Sequence, residues 1–273
     1  MIVFVTGATG HLGNVLVRTL LSQGHEVRVL LRKPAPLSLV GLGVEPIYGD
    51  LFDREALGRG CQGARWVFHC AALISTLNRD LKEVERVNVV GTRNMIEAAL
   101  DAKVERFIYV SSVEALDLLD PGAAIGPDHF SSDRNVMGYG RTKANATLEV
   151  LAAVRQRGLP GVVGIPSAII GPYDFGSSRT VEMVRLFLAR RIPAYIDGGF
   201  DFVDVRDVAG GLVSAAHQGA IGGCYLLTGE LLSYFQITEL LERISGVPMS
   251  HMKAPYWLAL PFTYLATALG SLT

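Results

Sequence analysis

The stretch Thr6-Gly7-Ala8-Thr9-Gly10-His11-Leu12-Gly13 decides the fold of this chain. It follows the apolar run Ile2-Val3-Phe4-Val5 and opens a periodic segment at 12–21, an order that predicts strand, tight turn and helix. Glycine adopts positive φ cheaply and leaves no Cβ in the way of a ligand. The N–H groups at the start of such a helix can bind a pyrophosphate. The stretch therefore predicts a dinucleotide site at Gly7, Gly10, His11, Leu12 and Gly13.

Alternating apolar and helical patterns continue after the glycine turn. They predict strands at 25–31, 44–48, 65–69, 107–110 and 161–165, and helices at 82–102 and 138–155. Strands that alternate with helices through short connections pair in parallel. The predicted fold class is therefore α/β, with a Rossmann-type doubly wound parallel sheet.

The rhythm of the sequence changes after Pro166. Helices are predicted at 180–190, 206–218 and 237–244, with short extended pieces at 202–205 and 224–227. We expect residues 1–165 to form the dinucleotide-binding domain, with 200–218 returning to it. Residues 166–199 and 219–273 are expected to form a smaller C-terminal lobe that binds the substrate.

The composition argues against several classes of function. The 273 residues are 49% apolar and carry a net charge of -1 without basic clusters, which argues against nucleic acid as a partner. Cys61, Cys70 and Cys224 are too few and too scattered for a disulfide framework or a zinc site. We expect buried free thiols in a reducing cytoplasm, no metal, and no signal peptide before the first strand.

One segment raises the question of a membrane. Residues 256–272 are apolar throughout and are interrupted by Pro261. They are fewer than the roughly 20 apolar residues that a membrane span needs. The sequence favours a buried or interface helix there, and membrane contact stays open.

Residues after the second and third strands bear on the choice of dinucleotide. The second strand ends in Arg32-Lys33-Pro34. An acidic residue here would bind the ribose 2′-hydroxyl of NAD, whereas a basic one pairs with the 2′-phosphate of NADP. The sequence therefore favours NADP over NAD. Asp50 and Leu51 follow the third strand, where an adenine edge would lie, although Asp50 is equally well explained as a turn residue.

Three side chains predict a proton-transfer site. Tyr139 and Lys143 lie four residues apart at the start of a predicted helix and so share one face. A neighbouring ammonium would lower the pKa of the phenol from about 10, and it can also hydrogen-bond a nicotinamide ribose. Ser112, or with less support Ser111, follows a strand and can hold a carbonyl oxygen for protonation. A dinucleotide would deliver the hydride, and the protein would supply the proton.

Seven segments carry a resemblance to a known family and run in family order over nearly the whole chain. They are 6–13, 69–72, 87–92, 109–112, 139–143, 166–172 and 202–208. The chain resembles the extended short-chain dehydrogenases/reductases, the NAD-dependent epimerase/dehydratase superfamily. Within them it is similar to the dihydroflavonol-reductase-like and 3β-hydroxysteroid-dehydrogenase-like proteins.

The resemblance implies roles for the matching residues. The cofactor residues would be Gly7, Gly10 and Gly13 at the pyrophosphate, Arg32 at the 2′-phosphate, Asp50 and Leu51 at the adenine, Ala71 and Ala72 at the ribose, and Pro166 to Ile169 at the nicotinamide. Ser112, Tyr139 and Lys143 would be catalytic, whereas Asn88 is at least as well explained by helix packing. Many relatives form homodimers through the helices that correspond to 82–102 and 138–155.

Three functions follow, in decreasing order of support. The first is an NADP-dependent reductase of a ketone or aldehyde, or the reverse reaction. The second is a nucleotide-sugar epimerase or dehydratase with tightly bound NAD, because Glu114 lies two residues after Ser112 and dehydratases need an acid beside the serine. The third is a regulatory protein that binds a dinucleotide without turnover, since a fold alone does not establish activity.

The substrate pocket is expected to involve the loop 117–137 and the segment 175–200. Their apolar side chains favour a mostly apolar small-molecule substrate, although packing within the lobe explains them equally well. They are Phe130, Met137, Phe175, Met183, Phe187 and Tyr195. The chain departs from the family in two respects. Ile165 stands where an arginine is usual, and relatives commonly continue for a helix or two beyond the position of Thr273.

Overall fold

The predicted parallel sheet is present and forms the centre of the molecule. A computed structural model describes residues 1–34, 36–74, 80–116, 130, 138–176 and 178–255. Its large sheet has seven strands in the order β3-β2-β1-β4-β5-β6-β9, all parallel. They are β1 (Ile2–Thr6), β2 (Glu26–Leu31), β3 (Val44–Tyr48), β4 (Trp66–His69), β5 (Arg106–Val110), β6 (Gly161–Pro166) and β9 (Cys224–Leu227). This topology confirms the Rossmann-type α/β fold, and its order reverses between β1 and β4, where such sheets bind dinucleotides.

Helices cover both faces of this sheet. α1 (His11–Ser22) and α7 (Val205–Gln218) pack together on one face. α2 (Arg54–Cys61), α4 (Gly91–Asp101) and α5 (Tyr139–Arg157) cover the other. Because the sheet is buried on both sides, its inner strands are apolar without interruption, as the runs at β1 and β5 show.

A second, three-stranded sheet lies after β6. β7 (Ala168–Ile170) pairs in parallel with β8 (Gly199–Asp204), and β8 pairs antiparallel with β10 (Glu230–Ser233). α6 (Arg179–Leu188) and α8 (Tyr234–Ser245) pack beside it. The sequence assigned all of 219–273 to the lobe, but β9 pairs with β6, with Val163 opposite Cys224, and so belongs to the large sheet. The two short strands β7 and β10, of three and four residues, were not predicted.

The helix predicted at 82–102 is divided in two by a change of pitch. α3 (Leu81–Glu85) leads into a π-helical turn at Arg86–Val90, and α4 follows at Gly91. A single π-helical turn leaves no clear pattern in residue periodicity, and such turns occur frequently at functional sites. Asn88, in its middle, is 1% exposed.

Several predictions fall outside the described residues. The loop 117–137 is described only at Phe130, whose backbone forms an isolated bridge with Leu116. Met137 and residues 256–272 also lie outside them. In the part of the chain that is described, no helix combines the length and the apolar character that a membrane crossing requires.

Candidate active site

The glycine turn forms a cradle that only glycine can line. Gly7 has φ +73°, and a Cβ there would lie 2.6 Å from the Ala71 nitrogen. A Cβ on Gly13 would overlap the Gly7 carbonyl oxygen. α1 begins at His11 with Gly10 as its N-cap, no side-chain cap and no acidic residue in the first turn. These features fit a dinucleotide, since the helix start offers N–H groups and the positive end of its dipole to a pyrophosphate.

A buried hydrogen-bond chain fixes the strand ends below this cradle. The Ala71 N–H donates to Thr6 Oγ1 at 3.3 Å, and the Thr6 hydroxyl contacts His69 Nδ1 at 2.7 Å. On the other side of the ring, His69 Nε2 lies 3.0 Å from Thr92 Oγ1. The Thr92 hydroxyl donates to the Asn88 carbonyl oxygen at 2.6 Å. Burial lowers the pKa of His69 to about 3, so the ring is neutral.

The donors in this chain define the histidine tautomer. Because the Thr92 hydrogen is used on Asn88, Thr92 Oγ1 can only accept from His69, which places the proton on Nε2. His69 Nδ1 then accepts from the Thr6 hydroxyl. Each donor hydrogen of this hydrogen-bond chain therefore has an acceptor, from the Ala71 N–H after β4 to the Thr92 hydroxyl beside the π-helical turn. This role of His69 was not predicted from the sequence, where its only signal is a polar residue at the end of an apolar strand.

Asn88 extends the same network to α5. Its Nδ2 donates to the Leu73 carbonyl at 3.0 Å and to Thr142 Oγ1 at 2.9 Å, while its Oδ1 accepts from the Leu73 N–H at 2.7 Å. Thr142 in turn donates to the Tyr139 carbonyl oxygen. Asn88 therefore ties the loop after β4 to the first turn of α5. Its contacts are structural, as the sequence allowed.

Lys143 lies at the carboxyl end of β5. Its side chain is buried, its Nζ donates to the Val110 carbonyl oxygen at 2.5 Å, and it lies 4.4 Å from the centre of the Tyr109 ring. Burial lowers the pKa of Lys143 from 10.5 to about 7, and the nearby Cys70 acts weakly in the opposite direction. A lysine with such a pKa exchanges its proton near neutral pH, a property that is common in active sites.

Tyr139 is the first residue of α5, directly after Gly138 with φ +63°. Burial raises the pKa of its phenol, the carboxylate of Glu114 raises it further, and Arg179 opposes both. The spacing of Tyr139 and Lys143 predicted that an adjacent ammonium would lower this pKa. In the structure burial has the largest effect on this pKa, and the cation that lowers it is Arg179, not Lys143.

The two serines after β5 have different surroundings. Ser111 is buried and lies 2.7 Å from Thr147 Oγ1, inside the contact between β5 and α5. Ser112 is only partly buried, and its Oγ accepts from the Glu114 N–H at 3.1 Å. In the part of the chain that the structure describes, the Ser112 hydrogen has no acceptor and is available for a substrate oxygen. Of the two candidates, the geometry favours Ser112.

The expected adenosine and nicotinamide contacts lie along the same carboxyl edge. Arg32 and Lys33 are exposed directly after β2. Asp50 Oδ1 accepts from the N–H groups of Phe52 and Asp53, so this side chain stabilises its own turn. Leu51 is buried against Gly91.

At the other end, Pro166 closes β6 and Ile169 lies in β7. The apolar residues proposed for the pocket are dispersed. Phe175 is exposed, whereas Phe187 is buried and lines a cavity of about 300 Å³ with Tyr195.

The fold and the cradle define a dinucleotide-dependent enzyme of the doubly wound α/β class. The chain belongs to the NAD dependent epimerase/dehydratase family, whose model matches residues 3–227. This confirms the resemblance to the extended short-chain dehydrogenases/reductases.

Individual relatives support the same assignment. The chain is 39% identical over 262 residues to the sterol demethylase protein B of Methylococcus capsulatus, covering 93% of this chain and 78% of that protein. It is 38% identical over 268 residues to a protein of Synechocystis that is provisionally named dihydroflavonol 4-reductase, covering 96% and 78%. Among solved structures, that of gox2253 superposes with a TM-score of 0.88 at 34% identity, covering 98% of this chain and 83% of that one.

Proposed function

We propose that this protein is an NADP-dependent reductase of ketones or aldehydes. The observation that carries the proposal is the surroundings of the carboxyl end of β5. There, the Ser112 hydroxyl hydrogen has no acceptor among the described residues, and Lys143 Nζ donates to the Val110 carbonyl oxygen. Tyr139 begins the helix that packs against the turn after Ser112.

Each of the three residues has a distinct task in this proposal. Ser112 donates a hydrogen bond to the substrate carbonyl oxygen, which holds it beside Tyr139. Tyr139 gives its phenolic proton to that oxygen, and its raised pKa keeps the proton in place at neutral pH until the oxygen becomes basic. Lys143 hydrogen-bonds the nicotinamide ribose. The bound dinucleotide supplies the hydride.

The residues along the carboxyl edge would bind the dinucleotide from end to end. The glycine turn holds the pyrophosphate through Gly7, Gly10 and Gly13 together with the N–H groups of His11 and Leu12. Ala71 and Ala72 line the ribose region, Asp50 and Leu51 border the adenine, and Pro166 and Ile169 border the nicotinamide. Arg32 pairs with the 2′-phosphate, which supports NADP over NAD because the side chain is exposed next to β2.

We propose that the large sheet with its helices binds the dinucleotide, and that the small sheet with α6 and α8 binds the substrate. A mostly apolar ketone suits this arrangement, and the relative from Methylococcus carries a sterol in its name. A homodimer through the faces of α4 and α5 is part of the same proposal, as is a cytoplasmic location.

The decisive experiment compares Tyr139→Phe with the wild type on a panel of apolar ketones, following NADPH absorbance. We expect turnover to fall by at least about 10²-fold, the usual contribution of a positioned proton donor, while NADPH still binds. Tyr225→Phe is the matched control. The Tyr225 hydroxyl accepts from the Ala220 N–H in the turn before β9, and it is not among the proposed catalytic residues. Turnover of Tyr139→Phe near the wild-type rate would reject the proposal.

One observation supports a second candidate, a dehydratase. Glu114 Oε1 lies 3.7 Å from Arg179 Nη1, and both charges act on the Tyr139 phenol. A carboxylate in that place could remove a proton from a carbon next to a carbonyl. A purified protein that retains NAD, and a clear preference for NAD over NADP in titrations, would favour this candidate.

A further inference from the structure

The segment after β7 contacts the first turn of α1 through side chains that the catalytic set does not include. Gly171 to Gly176 joins β7 to the approach of α6. His11 Nε2 donates to the Pro172 carbonyl oxygen at 3.0 Å, across 161 residues of sequence. On the next turns of the same helix, the Arg18 guanidinium carbon lies 4.2 Å from the centre of the Tyr173 ring.

The path of the chain places this segment along the mouth of the dinucleotide cleft. It leaves the carboxyl end of β6 at Pro166 and reaches the start of α1, which follows β1. In the sheet, β6 and β1 are separated by β5 and β4. Three strand spacings amount to about 14 Å, so the segment runs from the nicotinamide end of the proposed site to its pyrophosphate end.

The segment is held in a conformation that it would not adopt unaided. Tyr173 has φ +65°, a left-handed conformation that is costly for an aromatic residue. Gly171 has φ +145°, and a Cβ there would lie 2.7 Å from Val205 Cγ1 at the start of α7. Strained backbone persists only where surrounding contacts hold it, and here those contacts are His11 and Arg18.

Asp174 places a buried carboxylate on the same side of the segment, facing α1. Its side chain is 4% exposed, and its Oδ1 accepts from the Gly176 N–H. Its buried Oδ2 has no hydrogen-bond partner in the described part of the chain and lies 3.8 Å from His11 Nδ1. The contact between the segment and α1 therefore includes a buried carboxylate that faces the His11 ring.

We propose that residues 171–174 form a clasp, held to α1 by His11 and Arg18, that closes over the bound dinucleotide and controls its release. This inference rests on the proposed function, because it requires a dinucleotide at the glycine turn. The clasp positions the cofactor and takes no part in the chemistry.

Release rates test the clasp directly. Tyr173→Asn removes the ring but tolerates the left-handed backbone, whereas Tyr173→Phe keeps the ring and serves as the matched control. Tyr173 is 47% exposed, so neither change disturbs the core. An exposed stacking contact of this kind corresponds to about a two- to five-fold change, and we expect the NADPH dissociation rate of Tyr173→Asn to rise by that factor. Stopped-flow displacement of NADPH measures it.

A second variant separates the stacking contact from other effects. Arg18→Gln removes the same stacking contact, together with the hydrogen bonds of Arg18 to Asn14 and to the Ser38 carbonyl oxygen, and should raise the release rate at least as much. The double variant with Tyr173→Asn should release no faster than the faster single variant, because the two substitutions share the stacking contact. Release rates that are unchanged in Tyr173→Asn, or that multiply in the double variant, would overturn the clasp while leaving the reductase proposal intact. A wild-type protein that binds neither NADPH nor NADH would refute both proposals.

Discussion

Replacing Lys143 by methionine should stabilise this protein while abolishing its activity. A pKa of about 7 instead of 10.5 means that the folded protein holds the ammonium about 4 kcal/mol less favourably at pH 7 than the unfolded chain does. Methionine removes that cost and fills a similar volume. It also leaves the Val110 carbonyl without this donor, which costs about 1–3 kcal/mol. We therefore expect a net gain of about 1–3 kcal/mol, measured by urea unfolding at pH 7.

The pH dependence of the gain identifies its cause. Between pH 7 and 10.5 the unfolded chain holds a proton on Lys143 that the folded protein has lost, so wild-type stability rises with pH in this window. Lys143→Met lacks this rise. Its advantage should therefore fall by about 4 kcal/mol across the window and become a disadvantage of about 1–3 kcal/mol near pH 10.5, where only the lost contact with the Val110 carbonyl remains. Lys82→Met, at an exposed site on α3, is the control and should show neither effect. A variant less stable than the wild type at pH 7, or an advantage independent of pH, would refute the reasoning.

Two further predictions concern residues near the same edge. Gly13→Ala should lower dinucleotide affinity more than ten-fold and destabilise the fold, because its Cβ would overlap the Gly7 carbonyl. Gly210→Ala, in open space on α7, is the control and should bind normally. Calorimetric titration with NADPH measures the affinity of both variants. Ser111→Ala should cost about 1 kcal/mol of stability, through the lost contact with Thr147, and should keep its activity. Ser112→Ala should keep its stability and lose its activity. Steady-state kinetics and urea unfolding on both variants measure these effects. Two variants with the same effects, or with the effects of Ser111→Ala and Ser112→Ala exchanged, would contradict the prediction.

The central architecture could be predicted because its signals are local. The apolar run before Gly7 and the periodic segment after it specify strand, turn and helix without any knowledge of the rest of the chain. The four-residue spacing of Tyr139 and Lys143 fixes their common helix face. Strand ends in a parallel sheet meet at one edge, which brings Ser112 to the same region.

Other features depend on contacts that no local pattern contains. The raised pKa of Tyr139 reflects how much water the folded chain excludes, and spacing carries no record of burial. α2 was not predicted because its eight residues include Gly58 and Gly60, which weaken the helical signal. The contact of His11 with Pro172 joins two segments 161 residues apart, which no local pattern connects.

The π-helical turn at Arg86–Val90 also constrains the number of residues between α3 and α4. One residue advances an α-helix by about 100°, so deleting any one residue there would let the helix run at regular pitch but would turn α3 relative to α4. Asn88 could not then face Leu73 and Thr142 while Gly91 kept its close approach to Leu51. A substitution at the exposed Val90 leaves these contacts in place, whereas deleting one residue would break several of them at once.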